Sequence, residues 1–341
     1  MALCLVGLVD RASAQTAIGQ WRDHFQYRST IAAIEGDGNV YCATTSAIFK
    51  YDEQSGETQR FTKVNALNDV NIFSLGWNVD RKNLLVGYKN GNFDVISGSS
   101  ATNLPDIKRS SITGDKGIYS ITCQGSLAYL GCGFGIVVVD LAKMEVKDTW
   151  IIGPNAGQVQ VNGVMFLGDS IYAATDQGLF VAWKNAPNLA AYTNWYRRMD
   201  LPSPTKAYSS VVAFNGMVLV NRRYNDSIQS STDTTYVYNN GWHPLTATLG
   251  DHNRTMNVSA DGQRLVVTQR DQVREFDHEF NEVYSAFLIG GQPIRPVWGL
   301  DRTQGGLWVA TDGNGLVRFQ SDANFSTIYP NGPKNNSAYK M

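Results

Sequence analysis

The stretch Leu307–Phe319, with the sequence LWVATDGNGLVRF, predicts two short β-strands joined by a tight turn. Leu307–Thr311 is apolar and rich in residues that favour strands. Asp312–Gly315 holds residues that tolerate a positive φ, and Leu316–Phe319 then resumes the apolar pattern. A unit of this kind recurs along the chain, so we take it as the repeat from which the fold is built.

Seven copies of the unit can be aligned on the second residue of their leading strand. The anchors are Tyr41, Val86, Tyr129, Tyr172, Val218, Leu265 and Trp308, at intervals of 43 to 47 residues. A period of about 40–50 residues with several strands per period is typical of a propeller. Each copy expands to four strands, so the sequence predicts an all-β fold, a seven-bladed β-propeller of four-stranded antiparallel blades. The strand-like segment Trp21–Tyr27 is expected to complete the sheet of the last blade.

Both ends of the chain are predicted to lie outside the ring. Residues 1–14 indicate a signal peptide, since the apolar run Ala2–Val9 precedes the small-x-small pattern of Ala12–Ala14. Residues 15–331 form the predicted propeller. Residues 332–341 repeat an earlier lead-in and predict the start of a further, truncated repeat or second propeller. We therefore expect an exported protein that is longer than this chain.

Composition excludes several classes of protein. The 29 Lys and Arg residues nearly balance 30 Asp and Glu residues, and no basic tail appears, so we expect no nucleic-acid partner. No run of 18 apolar residues follows the leader, so no transmembrane segment is predicted. Cys42 and Cys132 fall within second strands and are expected to be buried and reduced. A disulfide between Cys123 and Cys132 is disfavoured, because the intervening turn pairs residue 123 with about residue 128.

The motifs of catalytic and metal sites are absent from the sequence. The four histidines are scattered without metal-ligand spacing, and neither a nucleophile elbow nor a phosphate-binding loop occurs. We therefore predict a protein that is not an enzyme and has no metal or cofactor. The weak candidates for binding are Trp195, Tyr196, Arg197 and Arg198, because aromatic rings and guanidinium groups suit sugars and phosphates. The alternative is an outer strand with two exposed arginines.

The insertion Arg222–Thr235 is polar and lies between the second and third strands of the fifth copy. Insertions in a repeat protein map to loops on one face, which is often the binding face. A solvated loop without a ligand is the alternative.

The repeat phrase resembles the two-component regulator propeller repeat. Leu307–Phe319 matches that phrase best, and Asn68–Ile72 matches its lead-in. The segment Ile18–Tyr27 is similar to the start of the mature PorZ family of the Bacteroidetes type IX secretion system. This resemblance implies a non-catalytic component at the cell surface or outer membrane. It also implies the sortase PorU and other attachment-complex proteins as partners, and anionic lipopolysaccharide as a ligand.

Two other functions fit the repeat. One is the periplasmic sensing propeller of a hybrid two-component regulator, which would bind an oligosaccharide. The other is a propeller enzyme such as a lyase or lactonase, which needs convergent histidines and carboxylates that the sequence does not show. The sequence that follows Met341 separates the secretion component from the sensor.

Overall fold

The computed structural model of the chain describes residues 25–223, 233–248, 252–302, 306–321 and 324–332. The predicted signal peptide and nearly all of the predicted further repeat lie outside the described residues. So does most of the polar insertion in the fifth copy.

Seven four-stranded antiparallel sheets follow one another along the chain, which confirms the predicted seven-bladed propeller. In blades 1 to 3 the strands are β1 (Ala32–Gly36), β2 (Asn39–Ala43), β3 (Ile48–Asp52), β4 (Thr58–Phe61), β5 (Ile72–Asn78), β6 (Asn83–Tyr88), β7 (Phe93–Ser97), β8 (Ser100–Asn103), β9 (Ile118–Gln124), β10 (Leu127–Cys132), β11 (Gly135–Asp140) and β12 (Glu145–Trp150). In blades 4 and 5 they are β13 (Val161–Leu167), β14 (Ser170–Thr175), β15 (Gly178–Trp183), β16 (Trp195–Arg197), β17 (Tyr208–Phe214), β18 (Met217–Arg222), β19 (Thr234–Tyr238) and β20 (Trp242–Pro244). In blades 6 and 7 they are β21 (Thr255–Val258), β22 (Leu265–Thr268), β23 (Val273–Phe276), β24 (Glu282–Ala286), β27 (Pro296–Arg302), β28 (Gly306–Thr311), β29 (Gly315–Ser321) and β30 (Asn324–Ile328).

Little regular structure lies between the blades. A short hairpin, β25 (Leu288–Ile289) and β26 (Gln292–Pro293), separates blades 6 and 7. The α-helix of the described residues, α1 (Asp106–Arg109), lies between blades 2 and 3. Among these same residues, no helix has the length and apolar character needed to cross a membrane.

The core lies between neighbouring blades, because inner strands are covered on both faces. All six residues of β6 are buried, as expected for a strand that reads as an apolar run. Neighbouring blades approach each other closely at glycines, which have no side chain to separate them. A Cβ atom on Gly131 would lie only 2.6 Å from the carbonyl oxygen of Val161 in the next blade. Each blade therefore shields the apolar face of its neighbour, as the repeat predicts.

Within the described residues, the ring closes between blades 7 and 1 without a strand shared by the two ends. Blade 7 takes its outer strand from β30, so its edge is already occupied. The expectation that Trp21–Tyr27 completes this sheet is not met by residues 25–27, which form no strand, and residues 21–24 lie outside the described part. Instead, Tyr27 is buried against Phe49, and the carbonyl of Arg28 accepts hydrogen bonds from the amides of Gly313 and Gly315 at 2.9 and 2.8 Å.

The cysteines follow the sequence prediction. Cys42 and Cys132 are buried, and all three described cysteines are free thiols. Cys123 pairs with Ala128 in the ladder between β9 and β10, so it does not lie opposite Cys132. Burial raises the pKa of the Cys123 thiol to about 11, which leaves it protonated at neutral pH.

The ring has two faces that differ in their loops. We call the upper face the one that carries the loops before the first strands, such as 28–31, 69–71, 252–254 and 295, together with the turns between second and third strands. The lower face carries the turns between first and second strands, such as 37–38 and 79–82. The largest cavity described below opens on the upper face.

Candidate functional site: an arginine-lined cavity on the propeller axis

The predicted cluster of Trp195, Tyr196, Arg197 and Arg198 lies in and just after β16, the outer strand of blade 4. Trp195 is 6% exposed, donates its indole N–H to the carbonyl of Leu189 at 2.9 Å, and packs against Trp150. Trp195 is therefore part of the core between blades 3 and 4. Tyr196, the next residue, points to the other side of the strand and is 57% exposed.

The two arginines of this cluster have separate partners. The Arg197 guanidinium lies over the ring of Phe180, 5.1 Å from its centroid. Arg198 donates two hydrogen bonds to the Asp200 carboxylate, at 2.8 and 2.6 Å, and lies over Tyr238 of blade 5. These bonds from Arg198 hold the pKa of Asp200 below its usual range. The four side chains thus do not form one surface, and a ligand contact through Tyr196 stays a prediction.

A cavity of about 720 Å³ opens at the centre of the upper face. Its lining comes from blades 1, 2, 5, 6 and 7, and strands from so many blades meet only at the axis of the ring. We call it the axial cavity. Arg223, Arg254 and Arg270 line the side that belongs to blades 5 and 6, and all three residues are exposed.

The opposite wall of the axial cavity is largely apolar. Ile31 of blade 1, Phe73 of blade 2, and Val297 and Trp298 of blade 7 line it. Phe73 is 39% exposed, and the edge of its ring contacts Tyr119 at a centroid distance of 4.9 Å. The cavity therefore joins a cationic wall to an aromatic one.

Beside the arginines lies a buried hydrogen-bond network that we call the open network, formed by Asn221, Asp233, Thr235, Asn253 and Gln269. Asn221 donates to the Asp233 carboxylate at 3.0 Å, and Asn253 donates to the side-chain oxygen of Asn221 at 3.1 Å. Gln269 donates to the side-chain oxygen of Asn253 at 2.8 Å. Asp233 and Asn253 also line the axial cavity.

The open network fixes the backbone from which the arginines project. Arg254 directly follows Asn253, Arg270 directly follows Gln269, and Arg223 comes two residues after Asn221. Buried polar groups that are satisfied by one another hold a single arrangement, because any other arrangement leaves some of them unpaired. His252 adds to this wall, with Nδ1 at 3.4 Å from the Asp233 carboxylate.

A second cavity of about 400 Å³ adjoins the axial cavity. Both cavities are lined by Ile31, Arg254 and Val297. The second cavity adds hydroxyl and amide side chains from the loops of blade 1 and the segment before it, including Gln26, Ser29, Thr45 and Ser46. We call it the hydroxyl-lined cavity.

The chemistry of this site suits binding of an anion. Guanidinium groups match carboxylate and phosphate oxygens in a bidentate geometry. In the part of the chain that the structure describes, no group of three or more His, Cys, Asp or Glu side chains is placed to hold a metal ion.

Sequence reasoning missed the three arginines as a group. Each is an isolated residue in a polar loop, and nothing in the local sequence sets it apart. One signal was available, because Arg223 lies at the start of the polar insertion, whose loop we expected on a binding face.

The fold and this site define a class, a seven-bladed β-propeller with a polar axial cavity. Within that class, the family model described as "TSS9, PorZ, N-terminal beta-propeller domain" matches residues 40–196. This match supports the resemblance to PorZ propellers that the sequence indicates.

Solved structures agree in fold. The structure of PorZ from Porphyromonas gingivalis, described as an essential bacterial surface component of the type IX secretion system, superimposes with a TM-score of 0.75 at 19% identity. That match covers 95% of this chain but 41% of the other, so the chain spans about two fifths of that protein. The β-propeller of Myceliophteria thermophila Cps50 (Swd1) matches with a TM-score of 0.62 at 9% identity, covering 90% of this chain and 99% of that one. A chain of the mitotic checkpoint complex matches at 0.58 and 11%, covering 96% and 99%. No curated protein sequence matches the chain.

Proposed function

We propose that this chain is the propeller of a non-catalytic surface component of the type IX secretion system, and that it binds partner proteins and anionic lipopolysaccharide. The observation that carries the proposal is the family match over residues 40–196. A PorZ-type propeller supports a role in type IX secretion. The ligand, the sortase PorU as a partner, and the location at the cell surface or outer membrane belong to the proposal.

The axial cavity supports an anionic ligand. The described residues that line it include three arginines and one carboxylate, that of Asp233, so the described part of the lining carries a net positive charge. A low-dielectric wall such as that of Phe73 and Trp298 strengthens the attraction of this charge for an anion.

The outer rim of blade 4 supports a protein partner. Trp183 is 54% exposed and Met199 is 66% exposed, on the same blade as the exposed Tyr196. Aromatic residues and methionine are enriched at protein interfaces relative to the rest of a protein surface. These side chains are the ones we expect an attachment-complex protein to cover.

The alternative is the sensing propeller of a hybrid two-component regulator. It rests on the shared repeat phrase, whereas the family match favours the secretion component. The two functions are separated by the rest of the gene, which encodes a transmembrane helix and a kinase in the sensor.

The ligand part of the proposal is tested by titrating the purified chain with anionic and with neutral lipopolysaccharide fractions and measuring binding by calorimetry. We expect the anionic fraction to bind and added salt to weaken it. Equal affinity for both fractions, or no binding of either by a folded chain, contradicts this part.

The secretion part is tested by deleting the gene in its own bacterium and measuring a type IX cargo protein at the cell surface. We expect the cargo to be lost from the surface and restored by the intact gene. Normal surface cargo in the deletion strain contradicts the assignment.

A further inference from the structure

We propose that the axial cavity and the hydroxyl-lined cavity together bind an acidic oligosaccharide. One sugar that carries a carboxylate or a phosphate lies in the axial cavity, and neutral sugars extend along the hydroxyl-lined cavity. The inference rests on the proposed function only in taking lipopolysaccharide as the natural source of this saccharide.

The anionic group is assigned to the arginine wall. Arg223, Arg254 and Arg270 reach one cavity from three different loops, and their backbone is held by the open network. A site that is organised before its ligand arrives loses less entropy on binding. Carboxylate and phosphate share the planar oxygen pairs that a guanidinium recognises, so both are compatible with this wall.

The sugar ring is assigned to the opposite wall. Phe73 and Trp298 offer aromatic surface at the same cavity, and the C–H face of a sugar packs on such surface while its hydroxyls stay polar. An inorganic anion needs no such wall. Small-molecule sites commonly pair an apolar lining with a few placed polar groups, in a volume of about 300–1,000 Å³.

Arg254 joins the two parts, because it lines both cavities. Beyond it, Ser29, Thr45 and Ser46 present hydroxyls that act as both donors and acceptors, which is the pairing that sugar hydroxyls need. Charged side chains are few in this second cavity, with Asp312 beside Arg254. The ligand is therefore acidic at one end and neutral along the rest, and it is longer than one sugar.

The experiment titrates the full chain, by calorimetry and tryptophan fluorescence, with four probes: trigalacturonate, glucose 6-phosphate, maltotriose and inorganic phosphate. We expect the acidic saccharides to bind at least about tenfold more tightly than maltotriose, which lacks a charge-assisted bond. Whichever of trigalacturonate and glucose 6-phosphate binds more tightly identifies the anionic group as carboxylate or phosphate. Equal binding of maltotriose, or tighter binding of inorganic phosphate than of both acidic saccharides, overturns the proposal.

Variants locate the site. Arg254→Gln is expected to weaken the acidic saccharides about tenfold, because one bidentate contact is lost. The matched control is Arg81→Gln, which removes an exposed arginine from a turn of the lower face and should leave affinity unchanged. Thermal unfolding of both variants shows whether they are folded. Unchanged affinity in a folded Arg254→Gln variant overturns the assignment.

The same variants keep this inference distinct from the proposed function. If Arg254→Gln loses the acidic saccharides but keeps anionic lipopolysaccharide, the lipopolysaccharide binds elsewhere and the shared site is wrong. If the acidic saccharides bind through Arg254 but lipopolysaccharide does not bind at all, the inference stands and the ligand part of the proposed function falls.

Discussion

Two buried polar networks on the upper face have similar side chains and different surroundings. The open network of blades 5 and 6 borders the axial cavity. Its counterpart in blade 2, which we call the closed network, is formed by Asn68, Asp69, Tyr88, Asp94 and Asn103. Asp94 is fully buried there and accepts hydrogen bonds from the amide and side chain of Asn68 at 2.8 and 3.0 Å, from Tyr88 at 2.6 Å and from Asn103 at 2.8 Å.

The difference lies in what covers each network. Helix α1 crosses next to the closed network, and its Lys108 forms an ion pair with Asp69 at 2.6 Å. The open network has the axial cavity beside it, with Asp233 and Asn253 in the lining. Similar amide and carboxylate groups therefore hold loops together in blade 2 and border the proposed binding cavity in blades 5 and 6. Position in the ring, rather than residue type, separates the closed network from the network beside the proposed site.

The largest effect is expected from Asp94→Asn. The substitution removes the charge and places an amide among four donor groups, so buried donors lose their acceptor. Hydrogen bonds to charged groups contribute about 1.5–3 kcal/mol each and do not add fully, so we expect a loss of about 3 kcal/mol in the free energy of unfolding. Chemical denaturation with one fluorescence probe and one circular-dichroism probe measures it.

Asp233→Asn is the matched variant in the open network. Water in the axial cavity can satisfy groups that lose their partner, so we expect a smaller loss of about 1.5 kcal/mol. Equal losses for the two variants contradict the distinction between a closed and an open network.

The next test concerns the close packing between blades 3 and 4, away from the axial cavity. In Gly131→Ala, the new Cβ meets the Ser120 hydroxyl at 2.4 Å and the Val161 carbonyl oxygen at 2.6 Å. Overpacking of this kind costs about 1–3 kcal/mol, and we expect about 2 kcal/mol from thermal or chemical unfolding. The control is Gly163→Ala, whose Cβ meets nothing closer than 3.4 Å and should change stability by less than about 0.5 kcal/mol. If Gly131→Ala leaves the free energy of unfolding unchanged, blades 3 and 4 are able to move apart.

The ion pair over the closed network predicts a pH dependence. Burial alone raises the pKa of Asp69, but hydrogen bonds from Lys108, Asn90 and the Val70 amide outweigh burial and lower that pKa to about 2. The pair therefore stabilises the fold above the unfolded-state pKa of about 3.9, and this contribution is lost as pH falls towards 2.

Lys108→Met tests this dependence. The variant should lose about 1 kcal/mol at pH 7, and the difference from the parent should shrink between about pH 4 and pH 2. Urea denaturation across this range measures it. A difference that stays constant with pH assigns the effect of Lys108 to packing of its side chain rather than to its charge.

The sequence predicted the ring well because its signals are local. A hairpin such as that of Leu307–Phe319 is specified by residues within one turn of each other, and seven repeats of it leave few other folds. The site is different. Arg223, Arg254 and Arg270 are 31 and 16 residues apart, and only the packing of blade 6 against blade 5 brings them to one cavity. The contiguous cluster at Trp195–Arg198 shows the converse, since a strand sends successive side chains to opposite sides and residues adjacent in sequence do not share one surface.

The smallest effect on stability is expected from Arg254→Gln, and it decides whether the arginine wall belongs to the architecture or to the site. Arg254 is exposed, and two further arginines line the same cavity, so neutralising it relieves repulsion as well as removing contacts. We expect the free energy of unfolding to change by less than about 0.5 kcal/mol, with any stabilisation larger in 20 mM salt than in 500 mM salt (roughly the range over which screening acts). Arg81→Gln, measured in parallel, should show no salt-dependent gain. A loss above about 1.5 kcal/mol would make Arg254 a structural member of the open network. The open network would then stabilise the fold as the closed network of blade 2 does.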